Sequence, residues 1–169
     1  PTDEIVLFAN ASLLDLRTEF KNYLNNKNVI YFEWCAPAPY DYLSMDKSRL
    51  KLAILLRSYA LNCLHVDLFL ITSFLEGFSD NCCTEVDFDI VKIPIISIFY
   101  DLIPLINPNL YLTNNPDFER YYRSKLKRMR KLDGLLAISS SSAKEAKKFL
   151  RFNQNNVFNI SSACDKKVF

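Results

Sequence analysis

Glycine is nearly absent from this chain of 169 residues, which holds only Gly77 and Gly134. That excludes a G-x-G-x-x-G dinucleotide turn and a P-loop, each of which needs clustered glycines. A single histidine, His65, and the lack of any C-x-x-C pair exclude the usual zinc spacings. His65 falls at a predicted helix end, where a structural role outweighs a catalytic one. With no G-x-S-x-G elbow either, a nucleophilic hydrolase lacks its parts. The five cysteines are odd in number and include the adjacent Cys82 and Cys83. They argue against a disulfide framework and for a reducing compartment, with the thiols as small core residues. The first strand-like run, "EIVLFANAS", lacks the acidic pair of a phosphorelay receiver domain. No apolar run approaches the roughly 20 residues needed to cross a bilayer, and no basic-then-apolar leader opens the chain. The expectation is a protein neither exported nor membrane-spanning. A net charge of +2 and a pI near 8.4 are too mild to imply nucleic acid as a partner.

What is present is a regular alternation. Half of the residues are hydrophobic and about a quarter charged, which suits one soluble globular domain. Short β-type runs occur at 4–9 ("EIVLFA"), 28–34 ("NVIYFEW"), 66–72 ("VDLFLIT"), 94–100 ("PIISIFY"), 134–139 ("GLLAIS") and 156–161 ("NVFNIS"). Runs apolar on both faces suit parallel strands covered by helices. Helical patterns lie between them, over Ser12–Asn25, Asp46–Leu64, Pro116–Leu132 and Ser141–Leu150. In the third, Phe118, Tyr122, Leu126 and Met129 recur on one face. In the fourth, Ser142 and Glu145 fit a capping box, with Ser139 as the competing cap. The sum predicts a Rossmann-like, three-layer α/β/α domain with a mainly parallel sheet.

Such sheets bind ligands outside the carboxyl ends of their strands. In "IPIISIFYDLIPL", Asp101 directly follows a predicted strand and so belongs to that rim; the competing reading is a turn cap. "SFLEGFSDN" (73–81) offers Glu76, Gly77, Ser79, Asp80 and Asn81 as partners for sugar hydroxyls. An ordinary polar loop with Gly77 at a strained position explains it equally. "RYYRSKLKRMRK" (120–131) carries seven basic residues and no acidic one. It reads as a solvated face or as a surface attracted to an anionic leaflet or a phosphate-bearing acceptor.

"SFLEGFSDN", "YDLIPLINPNLYL", "YYRSKLKRMRKLDGLLAISSSSAKEAKKFL" and "VFNISSACD" together resemble the N-terminal domain of bacterial retaining glycosyltransferases, in a large family containing many mannosyltransferases. The nearest likeness is to polymerising mannosyltransferases of O-antigen and capsule assembly, and it runs from about Ile5 to the end. The resemblance implies half of a GT-B fold, with residues 1–160 as the acceptor-side domain and 161–169 as the start of a crossover to a donor-binding domain. It also implies truncation at both ends, with "EIVLFANAS" as the family's second strand and the normally central first strand missing.

By the same resemblance, Asp101 is the catalytic candidate on the cleft floor. Tyr100 stands where many relatives carry a histidine. Glu76, Gly77, Tyr100, Ser139 and Ser140 are the acceptor-binding candidates, with helix capping as the other reading of the two serines. Arg120, Arg123, Lys127 and Arg130 are the candidates for contact with a membrane or anion. The implied partners are a nucleotide-sugar donor and a glycan acceptor, with no metal, cofactor or nucleic acid. The implied place is the cytoplasm, peripheral to the inner face of the plasma membrane. The rival from another class is a non-catalytic α/β binding module that uses its basic helix as the contact surface.

Overall fold

Among the described residues the apolar runs form six strands, and every strand pairing is parallel. The computed structural model describes residues 3–11, 28–44 and 46–162. The predicted helix Ser12–Asn25 and residues 163–169 of the predicted crossover lie outside them. The strands divide into a two-stranded and a four-stranded sheet, within two compact units.

The first unit comprises Pro1–Val66 and Ser79–Lys92. Its strands β1 (Ile5–Asn10) and β2 (Val29–Trp34) pair in the register Ile5 to Val29 through Asn10 to Trp34. Helix α1 (Lys47–Asn62) starts at Asp46, whose carboxylate accepts from Arg49 N at 3.0 Å, an ordinary acidic N-cap. Trp34, Ala36, Tyr40, Ala53 and Cys83 form the core, with Phe8 and Ile54 packed against it. Arg57 is buried in this unit, donating Nη1 to Glu85 O at 2.8 Å and lying over the Phe8 ring. Burial pulls its guanidinium below the usual arginine range. Of the described cysteines only Cys83 is buried, while Cys35 and Cys63 are exposed. The expectation of core thiols therefore holds for one site, because the other three fall in loops and at a helix end. His65 is exposed just beyond α1 with φ of 50°, a left-handed position at which glycine is the common choice.

The second unit comprises Asp67–Phe78 and Ile93–Phe169. Its sheet runs in the order β3 (Phe69–Ile71), β4 (Ile95–Phe99), β5 (Gly134–Ala137), β6 (Val157–Asn159). Along β4, Ile95, Ser97 and Phe99 are buried, and the Ser97 hydroxyl satisfies itself on Ile71 O at 3.0 Å. A Cβ on Gly134 would meet Ile96 Cγ2 at 3.1 Å, so glycine there lets β5 approach β4 closely.

Between β4 and β5 lie two one-turn helices, α2 (Ile103–Ile106) and α3 (Pro108–Tyr111), then α4 (Pro116–Met129). Helix α4 carries the start signals at full strength. Asn115 accepts from Phe118 N, Pro116 occupies the first turn, and Asp117 and Glu119 sit at the positive end of the dipole. Its buried face is Tyr121, Tyr122, Lys125, Leu126 and Met129. Helix α5 (Ser140–Phe149) links β5 to β6.

Candidate functional site

The carboxyl rim of the four-stranded sheet gathers most of the sequence-predicted residues. Tyr100 and Asp101 follow β4, Ser139 and Ser140 follow the neighbouring β5, and Glu76 and Gly77 lie in the loop after β3. Backbone bonds carry the alignment past the strand ends, with Ile138 N on Phe99 O at 3.1 Å and Ile160 N on Ala137 O at 2.9 Å.

Asp101 is half-buried and starts a turn, with Oδ1 accepting from Ile103 N at 3.0 Å. The capping role is therefore filled by one oxygen. Oδ2 makes no hydrogen bond among the described residues and remains an acceptor at the rim. Tyr100 beside it is exposed. The next amide, Leu102 N, goes to Glu145 Oε2 at 2.9 Å.

That bond corrects the predicted capping box. Ser139 is the N-cap of α5, accepting from Ser142 N at 3.0 Å. Ser142 donates its hydroxyl to Tyr100 O, and Glu145 reaches across to the β4 turn instead of back to its own helix start. Two α5 side chains thus hold the backbone that presents Tyr100 and Asp101. Ser139 is occupied as a cap. Ser140 is exposed, its Oγ accepting from Asn159 Nδ2 at 3.0 Å.

The loop after β3 is pinned from α4. Tyr121 Oη donates to Glu76 O and to Leu75 O, and Phe78 stands edge-on to Phe118 at 5.1 Å. The Glu76 carboxylate is exposed and accepts from Ser73 Oγ at 2.9 Å. Gly77 is buried with φ of 104°, a backbone position that a side chain would strain. Further along the predicted loop, Asp80 caps Cys82 N and Asn81 accepts from Tyr40 N, so these two polar groups serve local backbone in the first unit.

The basic run is less uniform than its sequence suggests. Lys125 is buried, its Nζ 5.4 Å from the ring centroids of both Phe74 and Tyr121. Arg120 is ion-paired with Asp117, and Arg123 with Glu119 at 2.8 Å, using the acidic residues of the first turn. Lys127 and Arg130 are exposed and have no ion pair among the described residues. Arg130 also lines a cavity of about 270 Å³ with Leu132, Leu150, Arg151, Phe152, Asn153 and Asn156. These residues precede β5 and β6, at the amino ends of the strands and away from the carboxyl rim. The arginines there follow the ends of α4 and α5, where cations complement the helix dipoles.

Tyr122 was legible only as part of an apolar face. It is buried, and its Oη reaches no partner at hydrogen-bond geometry. Burial raises its phenol well above the usual tyrosine range, and the charges of Asp101 and Glu145 add to the rise; the nearby Leu105 amide offsets a little of it. A pKa raised in the folded state gives stability that is intact below the unfolded value, about 10, and lost as pH climbs from there through the raised folded value. Tyr122→Phe is expected to be neutral or slightly stabilising at pH 7, since no bond is lost. It is also expected to flatten the alkaline loss of stability. Denaturant melts at neutral pH and above pH 10 check both arms.

No protein-family model matches the chain. Its sequence is similar to curated proteins of Escherichia coli described as "Serotype-specific mannosyltransferase WbdA". Two such relatives are 31% identical over 149 residues, or 88% of this chain. A third is 30% identical over 158 residues, or 93% of it. The chain spans about a fifth of the length of these relatives, 18–19%.

Proposed function

We propose, on the similarity to mannosyltransferases, that residues 1–160 act as the acceptor-side domain of a glycosyltransferase. The activity is transfer of a hexosyl unit, with mannose as the sugar, from a nucleotide sugar to a hydroxyl of a growing polysaccharide or lipid-linked glycan. The observation that carries this reading is the similarity to mannosyltransferases across nearly the whole chain.

The rim chemistry supports it. An acceptor hydroxyl needs a hydrogen-bond acceptor that orients its lone pair toward the donor carbon, and Asp101 Oδ2 is such a group on a rigidly held turn. Tyr100 supplies an exposed ring for sugar stacking and Ser140 a hydroxyl partner, while Ser139 and Gly77 shape the backbone around them. In a GT-B arrangement with retention, helix dipoles and basic side chains of a facing domain stabilise the leaving diphosphate without a metal. The setting that fits this chemistry is the cytoplasmic face of the membrane, where lipid-linked acceptors are extended.

The test is an assay of the intact protein with radiolabelled nucleotide-mannose and a glycan acceptor. Incorporation of label with an α-linked product is the expected result. Failure to transfer or hydrolyse any hexosyl nucleotide would leave the non-catalytic binding module as the better reading.

A further inference from the structure

Helices α4 and α5 end beside one another at the amino ends of β5 and β6, and residues from both ends line the cavity of about 270 Å³. Its floor is apolar, made by the buried Leu132, Leu150 and Phe152. Its mouth carries the exposed Arg130 and Arg151, with Asn153 and Asn156 beside them.

The surroundings leave these two guanidiniums unneutralised. Neither makes an ion pair or a side-chain hydrogen bond among the described residues. Four carboxylates lie between Leu102 and Ser162, and each is engaged elsewhere. Asp117 and Glu119 hold Arg120 and Arg123, Asp133 accepts from Ile95 N at 2.7 Å, and Glu145 accepts from Leu102 N. The helix dipoles offset only part of the charge. Each C-terminus presents roughly half a negative charge, against two full guanidinium charges, and Lys127, Arg128, Lys147 and Lys148 already occupy the last turns. An excess of this sign around a concave site attracts an anion.

The lining is held in place. Leu150 N and Phe152 N both donate to Ala146 O, closing the end of α5 around Arg151, whose φ is 52°. Asn153 Oδ1 accepts from Asn155 N at 3.1 Å, and Asn156 Nδ2 donates to Asp133 O at 2.7 Å. Each asparagine therefore keeps the other end of its amide, Nδ2 of Asn153 as a donor and Oδ1 of Asn156 as an acceptor.

We infer that this cavity binds a small phosphomonoester with a hydroxylated body. Two guanidinium forks match the charge of a phosphate dianion and the geometry of its oxygens. The free amide ends suit hydroxyls, and the apolar floor takes the carbon face of the body. The volume falls below the roughly 300–1,000 Å³ of drug-sized sites, which keeps the ligand small. The site lies away from the carboxyl rim, and the inference is independent of the transferase reading.

The experiment measures, by calorimetry on the intact protein, the binding of glucose 6-phosphate, inorganic phosphate and glucose. Glucose 6-phosphate is expected to bind more tightly than inorganic phosphate, and glucose not to bind. Arg130→Gln and Arg151→Gln are each expected to weaken glucose 6-phosphate at least roughly tenfold, as the loss of a charge-assisted contact does. Arg151→Gly separates binding from folding, because glycine adopts a φ of 52° without strain. It is expected to melt no lower than wild type and to bind as weakly as Arg151→Gln. No binding of either phosphate compound by wild type overturns the inference, as does equal binding by wild type and Arg151→Gly. Equal affinity for inorganic phosphate and glucose 6-phosphate overturns it too, since no body would then be recognised.

Discussion

In the intact protein, Asp101→Asn is expected to lower sugar transfer at least roughly tenfold, equivalent to about 1.4 kcal/mol of transition-state stabilisation, with little change in thermal stability. The substitution is chosen for its geometry. Asparagine keeps an oxygen that can accept from Ile103 N, so the turn survives, while the second oxygen is replaced by an amide donor and the charge is lost. Asp101→Ala removes both functions and is expected to cost about 1 kcal/mol of stability in addition, as cap losses do. A steady-state assay beside a melt separates the two. Normal transfer by Asp101→Asn would leave Asp101 as a turn cap only.

The strands were legible because each is a short, nearly continuous apolar run, although only β4 and β5 are without an exposed residue. "PIISIFY" became β4 with only its ends trimmed, and α4 starts at Pro116 as its helical pattern does. The division into two sheets was not legible, since six similar runs say nothing of which strand pairs with which. The cap of α5 was legible only as one of two readings, and Ser139, the alternative to the Ser142–Glu145 box, is the one the structure adopts. Four consecutive serines, 139–142, offer equivalent hydroxyls, and the choice was made by partners distant in sequence. Tyr100 O takes the Ser142 hydroxyl and Leu102 N takes the Glu145 carboxylate, which leaves Ser139 for the helix start.

The largest misreading concerned the basic run, and it yields the largest expected stability effect. A charged residue between charged neighbours is assigned to solvent by pattern, yet Lys125 follows Tyr121 by one helical turn and shares its buried face. Its stem packs as an apolar chain and its ammonium lies against the faces of Phe74 and Tyr121, whose negative quadrupoles favour a cation. Lys125→Glu places a carboxylate against those same ring faces with little access to water. Burying a charge without an opposite partner costs roughly 3–5 kcal/mol, which corresponds to a fall in Tm of roughly 6–20 °C for a domain of this size. Lys125→Met keeps the stem and drops the charge, and should cost about 1 kcal/mol. Lys127→Glu, two residues along on the exposed face, is expected to shift Tm hardly at all. Thermal melts of the three variants rank Lys125→Glu far below the others if the lysine belongs to the clamp on the β3 loop. A small shift for Lys125→Glu, equal to that for Lys127→Glu, would show that the side chain reaches solvent and counts among the surface cations after all.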